Sequence, residues 1–137
     1  MSHVTDGGNR LRLHGLWEAV GIGLVVTVVA LSLLPLPAAD LGANSDKLGH
    51  SLAYSSLMYW FAMVYPAKRR HPALAICFVA LGVGLEFLQG MTSYRSFEVA
   101  DMVANTAGVA IGWCFALTPL KSLLAGSEKL LLRNKDI

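Results

Sequence analysis

The amino-acid sequence predicts an all-helical protein, a four-helix transmembrane bundle with both termini in the cytoplasm. Of the 137 residues, 55% are apolar and only 15% are charged, against about 25% charged residues in ordinary soluble domains. Long apolar runs alternate with short connections rich in proline or charge. The formal net charge of +2 and the lack of a basic stripe interleaved with aromatic residues argue against a nucleic-acid partner.

The first apolar run follows a polar segment, residues 1–15, which predicts a flexible cytoplasmic tail. The run from Ala19 to Ala39 has no formal charge and is long enough to cross a bilayer. A cleaved signal peptide is the competing interpretation, because basic residues precede the run and small residues follow it. The run exceeds the usual apolar core of about 7–15 residues in such peptides, so we favour a retained helix.

Prolines set the limits of the other predicted spans. Pro35 and Pro37 end the first span, and the basic turn from Pro66 to Pro72 separates the second from the third. The predicted transmembrane domain is residues 16–120, with spans at about 16–36, 47–65, 72–90 and 98–120. Residues 121–137 mix leucine with basic residues, which predicts either an interfacial helix or a frayed basic cytoplasmic tail.

The basic residues orient this topology. Of the 11 Lys and Arg residues, all but Lys47 and Arg95 fall in the two termini or in the Pro66–Pro72 turn. Positively charged connections stay in the cytoplasm, so both termini are predicted to lie there. The connections at residues 38–45 and 91–97 then face the other side.

Three predicted spans become polar only at their outward ends. Asp46, His50 and Tyr54 are spaced to share one helix face, and so are Asp101 and Asn105. An ionised side chain inside hydrocarbon is costly unless it has a partner or reaches water. Residues at helix starts, such as Asp46 and Asp101, are equally consistent with helix capping. For the deeper residues we expect a shared polar cluster. The candidate site residues are Asp46, Lys47, His50, Tyr54, Glu86, Gln89, Arg95, Asp101 and Asn105.

Four short motifs in this half of the chain carry a family resemblance. In order they are Asp46-Lys47-x-x-His50 with Tyr54, Glu86-x-x-Gln89, Arg95, and Asp101-x-x-x-Asn105-x-x-Gly108. Together they resemble the VanZ-like family of small bacterial membrane proteins. The resemblance implies a multi-pass protein of the bacterial inner membrane. The family's founding member is associated with low-level resistance to teicoplanin, but no reaction is generally established, and resistance is not assumed for this chain.

Two functions of different classes follow from the cluster. In the first, it binds or processes an anionic lipid-linked headgroup, such as a cell-envelope precursor. Lys47 and Arg95 would hold the anion. The candidate catalytic residues are His50, Glu86 and Asp101, with His50 as general base and Glu86 as acid. The remaining candidates would bind the ligand.

In the second function, the same residues form a buried network that fixes helix register. The protein then acts without catalysis, through a partner or on teicoplanin-type susceptibility. A proton-coupled transporter is less favoured, because the inner halves of the spans have no deep ionisable groups.

No cofactor or metal is expected from the sequence. Asp46, His50, Glu86 and Asp101 could in principle hold a divalent ion, but their spacing is not a known ligand signature.

Two further features concern packing within the membrane. Cys77 and Cys114 lie inside spans without ligand spacing, and we predict buried structural thiols. Gly108 and Gly112 continue a small-residue ladder from Ala104. Such a ladder can form a homo-oligomer face, although packing against another span of the same chain is the commoner use.

Overall fold

The computed structural model describes residues 11–35 and 44–133, and in these two ranges the ordered elements are all helical. The five α-helices are α1 (His14–Leu33), α2 (Ser45–Val64), α3 (His71–Gly90), α4 (Val99–Ala116) and α5 (Leu123–Arg133). Short 3₁₀ turns, Lys68–Arg70 and Pro119–Ser122, precede α3 and α5. The predicted all-helical class is confirmed. Most of the predicted N-terminal tail, residues 36–43 of the first connection and residues 134–137 lie outside the described ranges.

Within the described ranges, three segments are long and apolar enough to cross a membrane: His14–Leu33, Lys68–Gly90 and Val99–Ala116. Helix α2 also has 20 residues, but polar residues in its first turns reduce its hydropathy. Several of those side chains point at other helices, so the composition of α2 reflects its position inside the bundle. Length and composition therefore support three spans, and α2 does not meet the hydropathy criterion for a fourth.

Helices α2 and α4 are parallel and touch at their backbones. A β-carbon at Gly108 would overlap the carbonyl oxygen of Ser51, and one at Gly112 would overlap that of Ser55. Contacts that advance in the same direction along both helices show the parallel arrangement. Small residues allow this close approach. The ladder is thus used within the chain, and an oligomer through the same face would have to displace α2.

Helix α3 runs antiparallel to α4. A β-carbon at Gly82 would lie 3.0 Å from the Asn105 side chain, while Glu86, one turn later in α3, contacts the residue before α4. Helix α1 in turn runs antiparallel to α2, since Trp60 near the end of α2 donates its indole N–H to the carbonyl of Trp17 near the start of α1. The four helices therefore alternate in direction.

The core of the bundle is centred on α2. Tyr54, Leu57 and Met58 are almost completely buried there, and Phe78 of α3 and Val109 of α4 pack into the same cluster. This arrangement brings the start of α2, the end of α3 and the start of α4 together at one end of the molecule.

Helix α5 closes the opposite end. Leu124 packs against Met63 and Val64 at the end of α2. The buried carboxylate of Glu128 accepts hydrogen bonds from the backbone N–H groups of Arg12 and Leu13 at 2.6 and 2.9 Å. These N–H groups precede the first turn of α1, so Glu128 supplies an anion at a helix start that lacks a side-chain cap of its own.

Two sequence expectations need correction. Cys77 and Cys114 were expected to be buried, but both are exposed on the outer surface of the helices, where lipid would cover them. The fourth span was expected to reach residue 120, but α4 ends at Ala116. Pro119 follows closely, and its ring and missing N–H prevent the helix from continuing. In the C-terminal segment, Leu123–Arg133 form a helix, in line with the helical alternative.

Candidate functional site

The polar residues at the end of the bundle opposite α5 form one connected cluster. Lys47, in the first turn of α2, places its Nζ 3.0 Å from Glu98 Oε2 and 3.6 Å from Asp101 Oδ1. Because α2 and α4 are parallel, their first turns lie at the same level and can exchange these contacts. Glu98 directly precedes α4 and makes no capping hydrogen bond with its side chain.

His50 lies one turn deeper and contacts both helices. Its Nδ1 is 3.0 Å from Asn105 Oδ1. Its Nε2 is 3.9 Å from Asp46 Oδ1 and 3.7 Å from Asp101 Oδ2. Both carboxylate distances exceed hydrogen-bond length. His50 is thus oriented by an amide on one side and faces two carboxylates on the other.

Glu86 of α3 is the most deeply buried acid of the cluster. It is 1% exposed. Its Oε1 accepts the backbone N–H of Glu98 at 2.6 Å, while its Oε2 has no hydrogen-bond partner among the described residues. The carboxylate interacts electrostatically with Asp101 and His50. Tyr54 is also buried with an unpartnered hydroxyl and interacts electrostatically with Glu86. The deep end of the cluster therefore contains polar atoms with unused bonding capacity.

Arg95 and Gln89 occupy different positions from the rest. The guanidinium of Arg95 lies 3.9 Å from Asp46 Oδ1, and its side chain is 30% exposed. Gln89 is buried, but its amide donates to the carbonyl of Ser32 in α1 at 2.8 Å. Arg95 thus borders the cluster through its contact with Asp46, whereas Gln89 connects α3 to the end of α1.

A family comparison covers this whole region. The VanZ/LLP1 family model matches residues 12–122. The chain belongs to the VanZ/LLP1 family. The uncharacterized protein C11E3.10 of Schizosaccharomyces pombe is 30% identical over 97 residues, which are 69% of this chain and 59% of that protein. This chain therefore spans less than two thirds of that relative. No solved structure matches.

The VanZ/LLP1 match includes every residue of the polar cluster, whereas all of α5, with Glu128, lies beyond it. A relative from yeast also means that family membership alone does not assign this protein to bacteria.

The charges of the cluster do not balance. Asp46, Glu86, Glu98 and Asp101 supply four carboxylates, while Lys47 and Arg95 supply two cations. The Lys47 ammonium holds the pKa of the Glu98 carboxyl below its ordinary value through a hydrogen bond and charge attraction. With all four acids ionised and His50 neutral, this VanZ/LLP1 cluster carries an excess of two negative charges.

Two residues escaped the sequence-based site prediction. Glu98 pairs with Lys47 and donates its N–H to Glu86, although it was not among the candidate site residues. Its spacing of three residues from Asp101 was the available signal, since both can then face α2. Glu128 lay in a segment interpreted as tail or interfacial helix, and no local pattern indicated a partner 115 residues away.

The other end of the bundle has a different character. A cavity of about 790 Å³ opens there, and its lining includes Lys68, Arg69, Arg70 and Lys121. Arg70 lies over the ring of Tyr65 at 5.3 Å. The two ends of this VanZ/LLP1 protein therefore have opposite charge, one acidic and the other basic.

Proposed function

We propose that this protein spans a membrane four times and presents the polar cluster on the side away from the cytoplasm. Three helices meet the length and hydropathy of a span, and α2 has the same length as α1 and α3. The basic cavity at the opposite end supports a cytoplasmic location for that end. Because the helices alternate in direction, both α1 and α3 then begin on the cytoplasmic side. The bacterial inner membrane is the location that the sequence resemblance implies.

The proposed function is to bind the anionic headgroup of a membrane lipid or lipid-linked envelope precursor at this cluster. One observation carries the proposal: polar residues from three helices converge where a headgroup would lie, and the deepest of them keep unpartnered atoms. Arg95 supplies the accessible cation, with a planar set of donors suited to phosphate or carboxylate. Lys47 supports the site while paired with two acids.

If a reaction takes place there, the roles follow from position. His50 is held by Asn105 with its other nitrogen toward the carboxylates, which suits a group that accepts and returns a proton. Glu86 and Asp101 are buried acids close enough to His50 to interact with it electrostatically.

The binding proposal is tested by ligand-dependent thermal stability in detergent. We expect short-chain phosphatidic acid to raise the unfolding temperature by a few degrees more than phosphatidylcholine with the same chains, because only a ligand of the folded state stabilises it. Glycerol phosphate without chains separates headgroup recognition from lipid contact. Arg95→Gln should remove the difference between the two lipids.

The matched control is Arg69→Gln, an exposed arginine that lines the basic cavity at the other end. It should leave the lipid difference unchanged. Loss of the difference in Arg69→Gln but not in Arg95→Gln would place headgroup binding at the basic end and overturn the proposal. Equal stabilisation by both lipids would do the same.

A second function is favoured by the pairing of Lys47. Its ammonium bridges Glu98 and Asp101 across two helices, as expected if the network fixes the register of α2 against α4. The protein would then act without catalysis, through a partner or on susceptibility to teicoplanin-type glycopeptides. In that case Glu86→Gln should reduce accumulation in the membrane, since removing one member of a buried charge network costs about 3–5 kcal/mol. Normal accumulation with loss of the lipid difference supports the binding site instead.

A further inference from the structure

Three side chains of the polar cluster bring potential metal ligands to one point. One atom each from Asp46, His50 and Asp101 lies within 4.8 Å of the other two. Two ligands of the same first-row metal ion are about 3.0–4.2 Å apart, given metal–ligand bonds of about 2.0–2.2 Å. The distances from His50 Nε2 to the Asp46 and Asp101 oxygens, 3.9 and 3.7 Å, fall in that range. They are too long for hydrogen bonds.

The hydrogen bond to Asn105 determines what His50 presents to these carboxylates. An amide oxygen can only accept, so His50 Nδ1 must donate its proton to Asn105 Oδ1 at 3.0 Å. In the neutral imidazole the proton is then on Nδ1, and Nε2 carries a lone pair. That lone pair faces two carboxylate oxygens, which are also electron donors. Three donors around one point form a suitable site for a cation, and a histidine fixed through its other nitrogen is the usual arrangement of a metal ligand.

Two observations beside the ligand geometry favour a cation here. Asp101 is 5% exposed, and its Oδ1 forms a 3.6 Å ion pair with Lys47 but has no hydrogen-bond partner among the described residues. The buried Oε2 of Glu86 also has no hydrogen-bond partner among the described residues, and the Glu86 carboxylate interacts electrostatically with Asp101 and His50. In addition, if all four acids are ionised and His50 is neutral, the excess of two negative charges in the cluster equals the charge that a divalent ion would supply.

We propose that Asp46, His50 and Asp101 bind a divalent transition-metal ion, with Asn105 as the residue that positions His50. One imidazole and two carboxylates suit Zn²⁺ or Mn²⁺ better than Mg²⁺ or Ca²⁺, which prefer oxygen ligands alone. Three protein ligands leave coordination positions open. Building on the proposed function, the ion would accept a phosphate oxygen of the headgroup and would explain how an acidic cluster attracts an anion.

The experiment measures metal binding alone, without lipid. Purified full-length protein in detergent is treated with a chelator, dialysed against Zn²⁺ and separately against Mn²⁺, and the bound metal per chain is measured. We expect about one ion per wild-type chain. Asp46→Asn and His50→Gln should each weaken binding at least tenfold. Asp46 is exposed, so its variant tests the site even if the less accessible His50 variant accumulates poorly.

The chain contains its own matched control. His14 and Glu18 form a second histidine–carboxylate pair on one helix face, also separated by 3.9 Å, but in the part of the chain that the structure describes no third ligand from another helix joins them. Glu18→Gln should leave metal binding unchanged. The metal site is overturned if the wild-type protein binds metal no more tightly than Asp46→Asn. It is also overturned if Glu18→Gln and Asp46→Asn lose metal binding equally.

The metal site and the headgroup site can fail separately. If the phosphatidic acid difference persists after chelation, while no metal binds, only the metal proposal is overturned. If Zn²⁺ or Mn²⁺ binds but neither phosphatidic acid nor inorganic phosphate adds stability with the metal present, the headgroup proposal is overturned. Inorganic phosphate alone giving the full effect would identify a soluble phosphate as the ligand instead of a lipid.

Discussion

Gly108 of α4 lies against the backbone carbonyl of Ser51 in α2, so closely that a β-carbon at position 108 would overlap that oxygen. One turn further along, Gly112 meets Ser55 in the same way. This contact holds the first turns of the two helices side by side. The ion pairs of Lys47 and the hydrogen bond between His50 and Asn105 depend on that alignment.

We expect Gly108→Ala to lower the free energy of unfolding by about 1–3 kcal/mol, the usual cost of overpacking. The obstructing atom belongs to the backbone, so α2 and α4 must separate to make room. The higher helix propensity of alanine recovers at most about 1 kcal/mol. Thermal unfolding in detergent measures the change. The control is Gly84→Ala, where a β-carbon meets nothing within 4 Å, and equal losses in the two variants would contradict the packing argument.

Glu128 predicts an acid-sensitive contact between α5 and the start of α1. Burial alone would raise the pKa of its carboxyl, but hydrogen bonds from Leu13, Arg12 and the indole of Trp17 outweigh that effect and hold the pKa below its usual value. A carboxyl with a lowered pKa in the folded state stabilises the fold above its unfolded pKa of about 4.5. That stabilisation is lost as pH falls through the folded value.

Replacing Glu128 with Gln should therefore lower the unfolding temperature at pH 7, with a cost of about 1–3 kcal/mol for weakened bonds to buried N–H groups. The difference from wild type should shrink as the pH is lowered from about 5 towards the folded pKa. Lys129→Gln, at the exposed neighbouring position, should show no such convergence. A difference between wild type and Glu128→Gln that stays constant with pH would contradict this role.

The sequence could place the polar cluster because lipid penalises ionised groups so strongly. His50, Glu86 and Asp101 turn inward, and helical spacing predicted which residues share a face, whereas Asp46 at the start of α2 stays exposed. Gln89 is also buried, but its side chain donates to the Ser32 carbonyl of α1 and not to the polar cluster. An amide needs only one acceptor nearby, and local spacing does not reveal which helix provides it.

The exposure of the two cysteines could not be predicted from the sequence. In a soluble protein an apolar face predicts burial, but in lipid both the core and the outer surface favour apolar side chains. A cysteine fits either environment, so Cys77 and Cys114 do not indicate which faces of α3 and α4 point towards the core. The partners of Glu128 could not be predicted because they lie near the opposite end of the sequence.

Asn105 should control the orientation of His50. Asn105→Ala removes the acceptor for His50 Nδ1, and we expect a loss of about 1–3 kcal/mol in stability from an unsatisfied buried group. Loss of such an orienting partner typically weakens metal binding about 10–100-fold. Unfolding temperature and Zn²⁺ dialysis measure the two effects. Thr106→Ala, on the exposed side of the same helix turn, is the control. Full metal affinity in Asn105→Ala would show that His50 needs no orienting partner.

The proposed orientation predicts which connections are reached by a membrane-impermeant thiol reagent. In a background with Cys77 and Cys114 replaced by Ala, Ser93→Cys in the α3–α4 connection should be labelled in intact cells. Ala67→Cys, in the basic connection before α3, should be labelled only after the membrane is opened, because positively charged connections remain in the cytoplasm. Both positions lie outside the α-helices, so neither variant disturbs packing between spans. The reverse labelling pattern would move the polar cluster to the cytoplasmic side, and labelling of both sites in intact cells would contradict the four-span topology.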